Sequence, residues 1–294
     1  MTPQLISQLK NEAPVLLDGA WGTQIQDRGL PPGSSGEHWN LEWPERIEEV
    51  ARTYVNAGSR IILTNTFCGN RLMLATHGLG EAAFDINRAG AEISRRAARD
   101  KALVFGSIGP TGKLVLMGDT SEPELLDVFG EQASALAAGG VDGIVVETMS
   151  ALDEYRCAIR AAKATGLSVV ACMVFDSGPD RDRTMMGATP EQAAEVAKEE
   201  GADVIGANCG QGIEGYIPIA KRLKSACELP VWIKPNAGLP VMVDGKTTYA
   251  ITPDVFARQT LDLVSAGADF VGGCCGTSPE FIAAVRAALD ARSA

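Results

Sequence analysis

The chain alternates short apolar runs with longer amphipathic stretches. The runs are Val15-Leu16-Leu17, Arg60-Ile61-Ile62-Leu63, Ala102-Leu103-Val104-Phe105, Gly143-Ile144-Val145-Val146, residues 168–175, Asp203-Val204-Ile205-Gly206, Val231-Trp232-Ile233 and Asp269-Phe270-Val271. They are short and lack an apolar–polar alternation, the pattern of parallel strands covered on both faces. Each is followed by a helical pattern. In the first, over 44–58, Ile47, Val50, Tyr54 and Val55 form a helical stripe. Others follow to about residue 100 and over 122–138, 151–164, from Pro190, 213–226, 253–266 and 279–291. Pro190 sits in a first turn, a favoured place for proline. Eight strand-then-helix units predict a single α/β domain over 1–294, a (β/α)8 TIM barrel. A doubly wound open sheet is the alternative, but no Gly-x-Gly-x-x-Gly follows the first strand. The residues before Val15 read as a polar lead-in, and 23–44 as a loop rich in Gly and Pro.

Polar or glycine-rich signatures follow seven of the runs: Asp18-Gly19, Thr64-Asn65-Thr66, Gly109-Pro110-Thr111-Gly112, Glu147-Thr148, Asn208-Cys209, Asn236-Ala237-Gly238 and Cys274-Cys275. A barrel gathers these at the C-terminal face of its strands, where barrel enzymes place their sites. Turn chemistry alone explains the glycines. It does not explain a glutamate and three thiols at strand ends.

The paired thiols lie in Gly272-Gly273-Cys274-Cys275-Gly276-Thr277. Side chains alternate faces along a strand, so two neighbours could not reach one ion from β geometry. The glycines allow the chain to leave that geometry. Three readings stand side by side: a vicinal disulfide, simple burial, and a metal site completed by Cys209. Adjacent Cα atoms lie about 3.8 Å apart, below the usual disulfide span of about 4.4–6.8 Å, which disfavours the first. Cys209, Cys274 and Cys275 would select a soft or borderline ion, zinc above others in cytoplasm, with one tetrahedral position open. Cys68 could close the site as a fourth ligand. His38 and His77 lie away from strand ends and are not expected to ligate. Cys157, Cys172 and Cys227 read as small buried hydrophobes.

Bulk properties narrow the partners. The net charge is −11, with no basic stripe, which argues against nucleic acid or an anionic membrane surface. No run of about 18 apolar residues spans a membrane. The start lacks a basic segment followed by an apolar one, so no signal peptide is expected. Seven cysteines, an odd and dispersed set, then favour reduced thiols and a cytoplasmic location.

A three-thiolate zinc is a weak Lewis acid towards water but binds and deprotonates an incoming thiol. That suits thiol alkylation. A thiol with an α-amino group would need a carboxylate, and Glu147 and Asp18 are on the same rim. Backbone N–H groups around Gly19 could take its carboxylate.

Seven stretches carry a resemblance: Asp18-Gly19-Ala20-Trp21-Gly22-Thr23, Thr64-Asn65-Thr66-Phe67, Gly109-Pro110-Thr111, Glu147-Thr148, Asn208-Cys209-Gly210, Pro235-Asn236-Ala237-Gly238 and Gly272-Gly273-Cys274-Cys275-Gly276-Thr277. Together the sequence resembles the homocysteine S-methyltransferase family, which includes betaine–homocysteine methyltransferases and the homocysteine module of methionine synthase. The resemblance implies a zinc barrel that moves a methyl group to homocysteine, giving methionine. It implies Cys209, Cys274 and Cys275 as ligands, and Asp18, Gly19 and Glu147 as holders of the amino acid. Asn236 would stand in the fourth zinc position before substrate.

The resemblance implies a small onium donor such as betaine. The alternative is a subunit charged by a separate corrinoid or other methyl-carrier protein. A homo-oligomer is left open. Ala237-Gly238-Leu239-Pro240 and Asp244-Gly245-Lys246-Thr247 are similar to the methionine synthase module. Animal-type betaine enzymes place tyrosines where this chain has Cys68 and Thr148. Trp21, Trp39, Trp43 and Phe67 remain for a quaternary ammonium. The charged loop 176–189 is a candidate lid.

Overall fold

The computed structural model describes residues 2–243 and 246–293. Its strands are β1 Val15–Leu16, β2 Ile61–Leu63, β3 Leu103–Ile108, β4 Gly143–Met149, β5 Ser168–Met173, β6 Val204–Cys209, β7 Val231–Pro235, β8 Pro240–Val243, β9 Lys246–Tyr249 and β10 Phe270–Val271. Eight are parallel and run β1-β10-β7-β6-β5-β4-β3-β2. A parallel bridge from Leu17 to Ile61 joins the two ends of that order. The chain therefore folds as the expected (β/α)8 barrel, its ring closed through a single bridge.

The helices are α1 Thr2–Asn11, α2 Trp21–Asp27, α3 Trp39–Glu42, α4 Pro44–Asn56, α5 Arg71–Ala75, α6 Ala83–Ala98, α7 Glu122–Ala138, α8 Leu152–Lys163, α9 Pro190–Glu199, α10 Ile213–Ala226, α11 Pro253–Ser265 and α12 Pro279–Ser293. No helix among the described residues is long and apolar enough to cross a membrane. Several start on the signals the sequence offers. Thr189 and Gln192 form a reciprocal capping box ahead of α9, with Pro190 in its first turn.

Alternation along each strand sorts its residues into two cores. Leu17, Leu63, Phe105, Val145, Val170, Val204, Trp232 and Phe270 fill the barrel interior. Leu16, Ile62, Val104, Ile144, Val146, Ile205, Ile233 and Val271 meet the helices. Inside, Trp232 stacks on Phe105 at 6.1 Å between ring centroids and lies 5.5 Å from Phe270. Each such buried ring contributes on the order of 2–3 kcal/mol. The result is a filled barrel that supports a site only at its rim.

Three segments differ from the sequence expectation. The lead-in forms α1, and Ile6 and Leu9 bury against the interior set. The loop 23–44 holds most of α2 and all of α3; its helices are too short to show a periodic stripe. Between β7 and α11 an antiparallel hairpin, β8–β9, pairs Pro240 with Tyr249; the short apolar run Val241-Met242-Val243 ahead of Asp244-Gly245 was its signal in the sequence. Asp244 and Gly245, part of the methionine synthase likeness, lie outside the described residues.

Candidate metal and substrate site

The three thiols reach one point by two local departures from strand geometry. Alternation along β6 sends Ile205 and Ala207 to the helix layer and would send Cys209 there too. Instead Cys209 takes a φ of +65° and Gly210 one of +61°, and the thiol lines the central cavity. A non-glycine residue held there costs roughly 1–2 kcal/mol. Neighbouring bonds hold it in place: the Tyr216 hydroxyl donates to Asn208 O at 2.9 Å, and Gln211 Nε2 to Phe175 O at 2.8 Å.

The paired cysteines sit on a turn laced to the end of β7. Cys274 N–H donates to Pro235 O at 2.7 Å, and Cys275 N–H to Asn236 Oδ1 at 3.0 Å. The Thr277 hydroxyl closes the turn on Cys274 O at 2.6 Å. A side chain at Gly273 would strike Thr277 Oγ1 at 2.3 Å, so only glycine permits the closure.

The sulfurs of Cys209, Cys274 and Cys275 all lie within 4.8 Å of one another. Cys209 and Cys275 are 3.9 Å apart. A tetrahedral ion with metal–sulfur bonds of about 2.3 Å separates its sulfurs by about 3.8 Å, so this donor set fits zinc in chemistry and spacing. The three thiols hydrogen-bond one another. Hydrogen bonds from Cys274 and then Cys275 hold the Cys209 thiol far below its ordinary range, against burial. Bonding to Cys209 in turn pushes Cys274 and Cys275 up. Cys68 is not in this cluster; burial, then the Glu37 charge, pushes its thiol up to about 12.

Beside the sulfurs, a cavity of about 480 Å³ opens at the C-terminal face, with Gly19, Trp21, Glu37, Phe67, Cys68, Glu147 and Lys234 among its lining. None of residues 176–189 lines it. That loop is tied to α10 through the Asp182–Arg222 pair at 2.5 Å.

Glu147 faces the barrel axis, in step with Val145. Its Oε1 accepts from Ser107 Oγ at 2.5 Å and its Oε2 from Asn208 Nδ2 at 3.2 Å. Burial raises its pKa, and Lys234 and Ser107 only partly offset this. Next to it Thr148, at φ +61°, marks an irregularity in the β4–β5 pairing. Asn208 clamps that irregularity, accepting from Thr148 N at 2.8 Å and donating to Thr148 Oγ1 at 2.7 Å.

Asp18 follows β1 at the rim, where the sequence placed it, but its side chain is turned into the protein. It is fully buried and outside the cavity lining. Its Oδ2 accepts from Leu63 N at 2.7 Å and Trp21 Nε1 at 2.8 Å, and its Oδ1 pairs with Lys234. Its carboxylate is thus spent on the protein. Asn236 is buried beside the sulfurs: its Oδ1 accepts from Cys275 N–H at 3.0 Å, and its side chain also hydrogen-bonds the Cys209 thiol. Gly19 lines the cavity.

Lys234 and Ser107 are site residues that sequence reasoning missed. Lys234 is 2% exposed and lines the cavity. Burial opposes its charge, but Asp18 and then Glu147 more than compensate, so its pKa lies above the ordinary value. The signal was present: Trp232 faces the interior, so Lys234, two positions on, must too.

The homocysteine S-methyltransferase family profile matches residues 15–289. Methionine synthases of Mycobacterium leprae and Mycobacterium tuberculosis are 31% and 32% identical over 92% of this chain. The chain spans 24% of the length of each of them. The metallated form of the homocysteine methyltransferase MmuM from Escherichia coli superposes with a TM-score of 0.80 at 24% identity, covering 97% of this chain and 99% of that one. With the profile spanning all eight strand–helix units, the chain belongs to the homocysteine S-methyltransferase family.

Proposed function

We propose that the protein is a zinc-dependent S-methyltransferase moving a methyl group from a small onium donor to homocysteine, giving methionine. The observation that carries this reading is the convergence of the Cys209, Cys274 and Cys275 sulfurs on a cavity that also holds the buried carboxylate of Glu147. Those three cysteines would hold the ion and leave its fourth position to the substrate sulfur. Bound zinc supplies stabilisation of that sulfur as a thiolate near neutral pH. Ser107 and Asn208 fix the Glu147 carboxylate, which receives the substrate ammonium. The substrate sulfur forms a bond to the methyl carbon as the bond from that carbon to the onium nitrogen or sulfur breaks. Its thiol proton has already left to solvent, and a neutral amine or sulfide departs. Opposite charges disappear in this step, which a water-poor cavity favours.

The far wall supports a cationic donor. Glu37 is buried there, accepting from Ser35 Oγ at 3.0 Å and Cys68 N at 2.9 Å. No cationic side chain pairs with it among the described residues. A buried unpaired carboxylate facing a cavity favours a cation. Trp21 and Phe67 line the same cavity and add aromatic surface suited to an onium group. Trp39 and Trp43 are engaged by Arg46, at 5.2 and 4.7 Å from their centroids. Reduced cysteines throughout the chain support a cytoplasmic location.

A second reading, methyl delivery by a carrier protein, is favoured by the greater length of the methionine synthases this chain matches. It is also favoured by exposed Leu116, Met117 and Met185 on loops of the C-terminal face. A donor panel separates the two. Zinc-loaded protein with homocysteine is given betaine, S-methylmethionine or dimethylsulfoniopropionate, and methionine is counted. The onium reading expects turnover with one of them, and a KM for it raised about 10- to 100-fold in Glu37→Gln, the loss of one charge-assisted contact. No methionine from any small donor favours the carrier.

A further inference from the structure

The ammonium of Lys234 has three N–H donors, and the structure gives it one side-chain partner, the Oδ1 of Asp18. Asp18 has two other donors on Oδ2. Lys234 is nearly fully buried, yet it is part of the cavity wall rather than packed behind it. A lysine serving only to neutralise Asp18 would not need to face the cavity. A buried cation with unfilled donors is costly unless a ligand fills them.

Its surroundings say which ligand. Glu147 lines the same wall and feels the charge of Lys234, as does Cys274. No direct ion pair joins Lys234 to Glu147 among the described residues. The cavity floor thus offers one cation and one anion, separate from each other and both close to the sulfur cluster. That arrangement matches a zwitterion carrying a thiol.

We propose that Lys234 is a specificity-determining residue that takes the α-carboxylate of the thiol substrate, while Glu147 takes its ammonium. This rests on the homocysteine reading above and assigns the recognition of the amino-acid end to a side-chain pair. Asp18 becomes the positioning residue that fixes the lysine. The consequence is selection for α-amino-acid thiols over simple thiols.

The test compares two thiols by calorimetric titration of zinc-loaded protein: homocysteine and 3-aminopropane-1-thiol, which lacks only the carboxylate. The wild type is expected to prefer homocysteine by about 10- to 100-fold, the range of a charge-assisted hydrogen bond. The variant is Asp18→Asn with Lys234→Met, which removes both charges and leaves no bare buried carboxylate. Asn Oδ1 can still accept from Trp21 and Leu63. In this variant the preference is expected to fall to within about threefold, through weaker homocysteine binding alone, since the aminothiol never met the lysine. A preference that persists in the variant overturns the proposal and returns the carboxylate to the backbone around Gly19. Equal affinity in the wild type overturns it without any variant. A wild type that binds neither thiol overturns the homocysteine reading itself, and this proposal with it.

Discussion

Asn208 is the side chain through which the cysteine strand β6 grips the glutamate strand β4, and Asn208→Ala would remove that grip. Three hydrogen bonds disappear: to Thr148 N at 2.8 Å, Thr148 Oγ1 at 2.7 Å and Glu147 Oε2 at 3.2 Å. The Thr148 N–H is left without its acceptor, costing about 1–3 kcal/mol. The bond to Glu147 is charge-assisted, worth about 1.5–3 kcal/mol, but Glu147 lines the cavity and water recovers part of it. The Thr148 hydroxyl can rotate to another acceptor. The expected loss is therefore about 2–4 kcal/mol. Thr148 holds a φ of +61°, so the backbone there should relax once released. Hydrogen–deuterium exchange over 143–149 reads this locally: the Thr148 amide should lose protection, while β2 and β3 keep theirs. Homocysteine affinity should fall in parallel, because Glu147 loses a donor that favours its charged form. A variant with unchanged exchange at Thr148 and unchanged homocysteine affinity would refute the clamp.

Two further perturbations probe neighbouring parts. Burial, the largest influence, raises the Glu147 pKa, so its charge is lost at a pH above the ordinary glutamate value of about 4.3. Homocysteine affinity should be full above that raised value and fall as pH drops through it, and Glu147→Gln should flatten this limb with zinc retained; a limb that survives belongs to another group. At Gly19 an added Cβ would meet Thr277 O at 2.3 Å and Tyr54 Cε1 at 2.9 Å. Gly19→Ala should push the end of β1 from the cysteine turn and cost about 1–3 kcal/mol, seen as a lower melting temperature and faster zinc loss to a chelator. A fully zinc-retentive Gly19→Ala would show that this contact does not support the metal site.

The barrel was legible because its strands are apolar on both faces, which leaves few other folds for eight such runs. The three cysteines were legible as a set because glycines around Cys274 and Cys275 allow a turn and Cys209 ends another strand. How Cys209 turns inward was not legible, since a non-glycine residue at positive φ leaves no mark in sequence. Glu147 and Lys234 both follow from alternation, yet only the glutamate was read as functional. A lysine inside a barrel makes sense only with its partner, and Asp18 lies 216 positions away. The same pairing occupies the Asp18 carboxylate, which the sequence offered only as a contact for substrate. Helix α1 carries Leu5, Ile6 and Leu9 at helical spacing, but it precedes the first strand and so falls outside the strand-then-helix repeat by which the other helices were read.

In the proposed function a thiol substrate would complete a three-sulfur metal site. Zinc-edge X-ray absorption on zinc-loaded protein, before and after homocysteine, measures this directly. Three sulfur neighbours at about 2.3 Å with one lighter atom are expected, becoming four sulfur neighbours on addition of homocysteine. A protein that binds no zinc, or a sulfur count that homocysteine leaves unchanged, would contradict the proposed function.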